Sequence, residues 1–133
     1  TGRAADKLAV HAPKKPLEKI KRYNCRKSFF ASKGIHIDPY GNIFSGTCSG
    51  IVLGNLSDDR LEDIWKGFDP SEFPFVSELI KEGPGGFLES EELQDYQVKL
   101  EYAGKCHLCT EIRNHLRSKG LFSSIIGPEE CYC

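Results

Sequence analysis

Six cysteines, at positions 25, 48, 106, 109, 131 and 133, constrain this 133-residue chain more than any other feature. Cys106-His107-Leu108-Cys109 is a Cys-x-x-Cys at the expected mouth of a helix. Two intervening residues let both thiolates face one centre, as metal and cluster sites need. The helix N-terminus adds partial positive charge and Lys105 acts in the same direction, so both favour the thiolate form. A closed site wants four ligands. Cys48 follows an expected hairpin among Gly and Ser, where backbone N–H groups approach sulfur, and Cys25 lies just before that hairpin. Cys25-x22-Cys48, a gap, and Cys106-x2-Cys109 then supply four thiolates. Such a set suits zinc and iron–sulfur alike, so ligand type leaves both open. A zinc ribbon normally brings two Cys-x-x-Cys knuckles, and only one is here. A thioredoxin-like redox pair needs a strand before its helix, whereas 94–102 reads as helix.

The rest of the composition narrows the setting. A hydrophobic fraction of 39% and a charged fraction of 28% are those of an ordinary single globular domain. No apolar run approaches the roughly 18–20 residues that span a bilayer, so no transmembrane helix is expected. The N-terminus lacks the apolar stretch of a signal peptide, which predicts a cytoplasmic, reducing location where clustered Cys bind metal. Asn55-Leu56-Ser57 is an isolated glycosylation sequon, so a disulfide-stapled secreted domain ranks third behind the two metal readings. The sequence contains no Met, which predicts a piece of a longer chain. Residues 1–33 carry ten Lys/Arg against two acids, but no aromatic residue interleaves them before Tyr23. A solvated helix and linker is therefore favoured over a nucleic-acid-binding arm.

Periodicity predicts the elements. Residues 1–15 read as linker, and 16–22 as a short basic helix burying Leu17 and Ile20. Ile35 and Ile37 alternate with His36 and Asp38, Pro39-Tyr40-Gly41-Asn42 is a turn, and Ile43-Phe44-Ser45 is the returning strand. Beyond Gly54 the chain reads as helical. Asp59 and Glu62 form a capping box ahead of Leu61, Ile64, Trp65 and Phe68. Asp69-Pro70 caps a helix burying Phe73, Val76, Leu79 and Ile80, stopped by the Gly83-Pro84-Gly85-Gly86 loop. Ser90 caps a third helix through Leu93, Tyr96 and Leu100. A fourth runs from about Cys106 to Lys119, with Leu108, Ile112 and Leu116 inward and Gly120 as terminator.

The cysteine order has company. Taken with Gly34-Ile35-His36-Ile37-Asp38-Pro39-Tyr40-Gly41-Asn42-Ile43, Gly54-Asn55-Leu56 and Leu61-Glu62-Asp63-Ile64-Trp65, it resembles the auxiliary-cluster domains of radical S-adenosylmethionine (radical SAM) enzymes. These are called SPASM when they hold two [4Fe-4S] clusters and Twitch when they hold one. Gly2-Arg3-Ala4 is similar to the tripeptide that often ends the catalytic barrel of such enzymes. The chain departs from the full SPASM pattern. Six residues rather than four separate Gly41 from Cys48, and 110–130 contains no Cys, which removes two ligands of a second cluster.

The resemblance therefore implies a Twitch-like domain with one [4Fe-4S] cluster on Cys25, Cys48, Cys106 and Cys109. Cys131 and Cys133 remain further ligand candidates, one of them in place of Cys25. It also implies an α+β fold, a small antiparallel β-hairpin followed by three or four helices around one Cys-ligated site, over 23–133. Residues 1–22 would be the linker from a missing barrel, the expected partner, which would carry S-adenosylmethionine, a second [4Fe-4S] cluster and a peptide or small-molecule substrate. The catalytic Cys-x3-Cys-x2-Cys is absent, so this chain would not be active alone. Its auxiliary cluster would transfer electrons or help bind substrate. The alternative is a structural zinc module mediating protein contacts. His107 is read as a surface residue at the helix start. Asp38 and Asp58-Asp59 are read as turn and cap residues, and the Gly83–Gly86 run as a loop with no phosphate-binding spacing.

Overall fold

The computed structural model describes residues 5, 7–46 and 48–132. In chain order they form β1 (Lys15–Pro16), α1 (Leu17–Ile20), α2 (Arg26–Phe30), β2 (Ile35–Ile37), β3 (Asn42–Ser45), β4 (Val52–Asn55), α3 (Leu61–Lys66), α4 (Pro74–Lys81), β5 (Glu101–Tyr102) and α5 (Lys105–Ser118). Short 3-10 helices lie at Pro70–Glu72, Gly83–Glu89, Glu91–Leu93 and Glu129–Cys131. The architecture is mixed helix and antiparallel sheet. Among the described residues no helix is long and apolar enough to cross a membrane.

The expected hairpin forms and gains a strand. Ile35, His36 and Ile37 pair with Ser45, Phe44 and Ile43. Asp38 fixes the turn: one carboxylate oxygen accepts from the N–H groups of Tyr40 and Asn42, each at 2.9 Å, and the other accepts from the Asn42 side chain at 2.8 Å. β4 then pairs antiparallel with β3 and makes a three-stranded sheet in the order β2-β3-β4, with a bulge at Ile43/Phe44. The apolar Ile51-Val52-Leu53 run is thus partly a buried strand, with Ile51 1% exposed. α3 packs on the sheet where Gly54 leaves room for Ile64; a Cβ at Gly54 would lie 2.9 Å from the Ile64 side chain. α3 begins after Arg60 with no side-chain cap, so the capping box expected at Asp59 does not form. Leu61 and Trp65 stay exposed rather than buried.

Two helical stripes form, with one exchange: Phe73, expected inward, is the half-buried N-cap of α4, and Phe75 takes its place. α4 buries Phe75, Val76, Leu79 and Ile80, and α5 buries Leu108, Ile112 and Leu116; Ile20, Phe29, Ile51, Leu53 and Tyr102 complete the core around them. Asp69 does cap, accepting from the Ser71 N–H at 2.8 Å, but it starts a 3-10 turn before α4.

The third helix expected from Ser90 to Gly104 does not exist. After the 3-10 turn at Glu91–Leu93 the chain is extended, and β5 pairs with β1 through Lys15↔Tyr102 and Pro16↔Glu101. Tertiary pairing overrides the helical spacing there. The Leu17 N–H donates to the Leu100 carbonyl at 2.8 Å, Tyr102 is fully buried, and its hydroxyl accepts the Lys99 N–H at 2.9 Å. Leu100, expected inward, points to solvent. The Gly83–Gly86 loop is likewise a 3-10 helix, with Gly83 and Pro84 buried.

Candidate metal centre

Three parts of the fold deliver four thiols to one place. Cys25 precedes α2 as its N-cap residue and is tied to α4, because its N–H donates to the Leu79 carbonyl at 2.8 Å. Cys48 lies in the β3–β4 connection, where its N–H donates to the Ser45 carbonyl at 2.9 Å. Ser45 is buried, and its hydroxyl donates to the Ser28 carbonyl at 2.8 Å, locking the end of β3 to α2. Cys106 and Cys109 sit in the first two turns of α5, three residues apart on one helix face. Cys25, Cys48, Cys106 and Cys109 together line a cavity of ≈ 30 Å³ with Ser28, Phe29, Ile51, Leu79, Lys105 and Arg113.

This surrounding governs the thiols. Burial pushes Cys25 from 9.0 up to about 12, with further upward pressure from Cys109, against the downward pull of Lys105. Burial likewise pushes Cys48 up to about 11, assisted by Cys109 and opposed by Arg113. Cys109 is raised by burial, with Arg113 pulling the other way. Lys105 therefore does not outweigh desolvation at Cys109, and without a bound cation Cys25, Cys48 and Cys109 stay protonated at neutral pH.

Arg113 is the residue that spacing alone did not single out. It is 1% exposed and carries no carboxylate partner among the described residues. Its Nη1 donates to the Ser49 carbonyl at 2.7 Å and to the Tyr132 hydroxyl at 3.0 Å, and its Nη2 donates to the Thr110 hydroxyl at 3.3 Å. The Tyr132 ring centroid lies 5.3 Å from the guanidinium, and the Tyr132 hydroxyl donates on to the Gly50 carbonyl. Burial pulls the guanidinium pKa down, but the negative charge of Cys109, Tyr132 and Cys48 once ionised outweighs it, and a guanidinium is charged at neutral pH in any case. A buried cation with only neutral dipoles around it is costly unless negative charge stands beside it. Its position was readable in principle: Cys106, Cys109 and Arg113 follow one another by three and four residues, the spacing of one helical face.

The other candidates lie elsewhere. Cys131 is half-buried and does not line the cavity, and Cys133 falls outside the described residues. His107 is not a loose surface residue: its Nδ1 accepts the Ala103 N–H at 3.1 Å, so Nε2 carries the proton it gives to Glu111 at 2.8 Å. Lys99 and the Tyr96 hydroxyl also bind that carboxylate, and His107 has no place in the thiol cavity.

Among the described residues no three His, Cys, Asp or Glu side chains are grouped so as to hold a metal ion. One tetrahedral zinc on four thiolates needs sulfurs within about 3.8 Å of each other, given a Zn–S bond of about 2.3 Å. In a four-iron cluster each thiolate takes its own iron, so its sulfurs stand wider apart. Four cysteines, three of them at least partly buried and Cys106 exposed, line one small hollow beside a buried cation with no carboxylate partner among the described residues, and they fit an anionic, thiolate-ligated group in donor type and in charge. No protein-family model, no curated protein and no solved structure matches the chain.

Proposed function

We propose that this chain is an iron–sulfur domain of the auxiliary kind found at the C-terminus of radical SAM enzymes, with one [4Fe-4S] cluster held by Cys25, Cys48, Cys106 and Cys109. The observation that carries this reading is the meeting of those four thiols with the buried, carboxylate-free guanidinium of Arg113 in one cavity. A cluster with four Cys ligands supplies one-electron transfer and keeps no open iron for a substrate. The chain's own residues do the rest. Phe29, Ile51 and Leu79 give the cavity an apolar wall. Arg113 compensates the negative charge of the thiolates, and Tyr132 and Ser49 hold its plane in position. Lys105 adds a second cation from the start of α5, held by its hydrogen bond to the Asn24 carbonyl.

In this reading the domain works in the cytoplasm, beside a barrel that supplies S-adenosylmethionine chemistry, on a peptide or small-molecule substrate. The domain alone catalyses nothing. The test is anaerobic purification followed by iron, sulfide and zinc analysis with the visible spectrum. About four irons and four sulfides per chain, with a broad brown absorbance, are expected. About eight irons would make Cys131 and Cys133 ligands of a second cluster and overturn the single-cluster assignment. One zinc, with no iron taken up on anaerobic reconstitution, would replace this reading by a structural zinc module.

A further inference from the structure

A second feature lies apart from the thiols. Between β2 and α3 is an open hollow of ≈ 600 Å³, lined by Ser32, Lys33, Gly34, Ile35, Arg60, Leu61, Glu62 and Trp65. Trp65 is 45% exposed and Leu61 37%, so the hollow is apolar and wet, an unusual cost for a single Trp in a small domain. Among the described residues neither Lys33 nor Arg60 has a carboxylate within ion-pair distance, whereas Glu62 is already paired with Lys66 at 2.5 Å. Arg60 belongs to residues 34–133, which carry seventeen acids against eight Lys/Arg, and Lys33 is the last cation of the basic stretch before them.

The rim of the hollow is a sheet edge. β2 ends the order β2-β3-β4, and its outer side is paired with no described strand. The Gly46 N–H donates to the Gly34 carbonyl and the Asp38 N–H to the Asn42 carbonyl. Residues two apart face the same way along a strand, so His36 turns its backbone groups toward β3 while Ile35 and Ile37 turn theirs outward. Among the described residues no hydrogen bond meets those outward N–H and C=O groups. Ile37 is also 47% exposed. Such an edge attracts a further strand unless something blocks it.

We propose that this edge and hollow bind an extended peptide by strand addition. The peptide backbone pairs with Ile35 and Ile37, one apolar side chain rests on Ile35, Leu61 and Trp65, and a carboxylate meets Lys33 and Arg60. The partner is thus an extended segment that alternates apolar and polar residues and carries an acid. Backbone pairing gives affinity and the hollow gives selectivity. This site does not depend on what the four thiols hold.

The test pans a phage-displayed library of random peptides, roughly ten residues long, on the 133-residue chain, with counter-selection on Trp65→Ala. The best binders are synthesised and titrated by fluorescence polarisation against wild type, Trp65→Ala, Trp65→Phe and Arg60→Glu. The same peptides are also made with N-methyl groups on alternate amides. Enriched peptides should be acidic and alternating. Trp65→Ala, Arg60→Glu and N-methylation should each weaken binding about tenfold, Trp65→Phe should retain it, and amide shifts should centre on Ile35–Ile37. Both altered side chains are exposed, and circular dichroism checks that the variants fold. The proposal fails if no peptide prefers wild type to Trp65→Ala, if the enriched peptides are basic or helical, or if N-methylation has no effect. It also fails if sedimentation shows a dimer that Ile37→Pro dissociates, since the edge would then belong to a second copy.

Discussion

Arg113 donates to the Tyr132 hydroxyl at 3.0 Å, and that hydroxyl donates in turn to the carbonyl of Gly50. The last turn of the chain thereby fixes a cation that belongs to α5 against the loop that carries Cys48. Gly50 makes the approach close: its φ is +85°, and a Cβ there would lie 2.6 Å from the Tyr132 oxygen and 2.8 Å from Arg113 Nη1. The electrostatics of the cavity depend on a residue with no side chain.

Gly50→Ala should be one of the most damaging single substitutions in the chain, costing about 2–5 kcal/mol from left-handed strain plus the collision. Gly120→Ala is the matched control. Gly120 also has positive φ, at +70°, but nothing lies within 4 Å of its added Cβ, so only the strain of about 1–2 kcal/mol remains. Urea unfolding midpoints of the two variants give the comparison. Equal losses would remove the collision from the account.

Arg113→Met should lower the iron retained by the purified chain and make any remaining cluster harder to reduce, since a cation beside the site is gone. Arg113→Lys keeps charge but loses the planar fork that reaches Ser49, Tyr132 and Thr110 at once, so it should recover only part of both properties. Potentiometric titration followed by electron paramagnetic resonance reads the effect. An unchanged potential in Arg113→Met would separate the guanidinium from the site.

Cys109→Ser should lose the bound metal and destabilise the fold by about 1–3 kcal/mol, because a hydroxyl replaces a thiol at a buried position with few partners. Cys131→Ser, half-buried and outside the cavity, should keep the metal content of wild type. Metal analysis and thermal unfolding of both variants check the division. Loss of iron in Cys131→Ser would bring the C-terminal pair into the site.

The metal-free, reduced chain should become less stable as pH rises. Cys25 and Cys48 bind their protons more tightly when folded, at about 12 and about 11, than at the 9.0 of an unperturbed thiol. Their contribution is therefore complete below about pH 9 and is lost as pH climbs from about 9 towards 11–12. Urea midpoints measured across that range with a chelator and reductant present should fall steadily. Cys25→Ala with Cys48→Ala should flatten the decline.

Much of this arrangement was legible in the chain. Alternation at 35–45, the Asp38 turn, the stripes of α4 and α5, and the place of Cys106 and Cys109 at a helix start all follow from local spacing. The rest is set by tertiary pairing. Residues 93–104 carry helical spacing at Leu93, Tyr96 and Leu100, yet β1 captures Tyr102 into a two-residue ladder and leaves Leu100 in solvent. Val52–Asn55 is too short a run to announce a third strand. Arg113 looks like any charged residue on a helix until Tyr132, nineteen residues later, folds over it. The convergence of Cys25 and Cys48 on α5 likewise arises through Leu79 and Ser28, residues that carry no chemical signal of their own.

The four thiols also impose an order on biosynthesis. Cys25 and Cys48 leave the ribosome well before α5 is made, and for that interval they are two unpartnered, reactive sulfurs on a growing chain. The cavity closes only when residue 109 has emerged, and Arg113 is seated only when Tyr132, made nineteen residues after it, reaches Gly50. Whatever the thiols bind must therefore be delivered after α5 has emerged, and a ribosome that stalls after the sheet but before α5 releases a product with half a site.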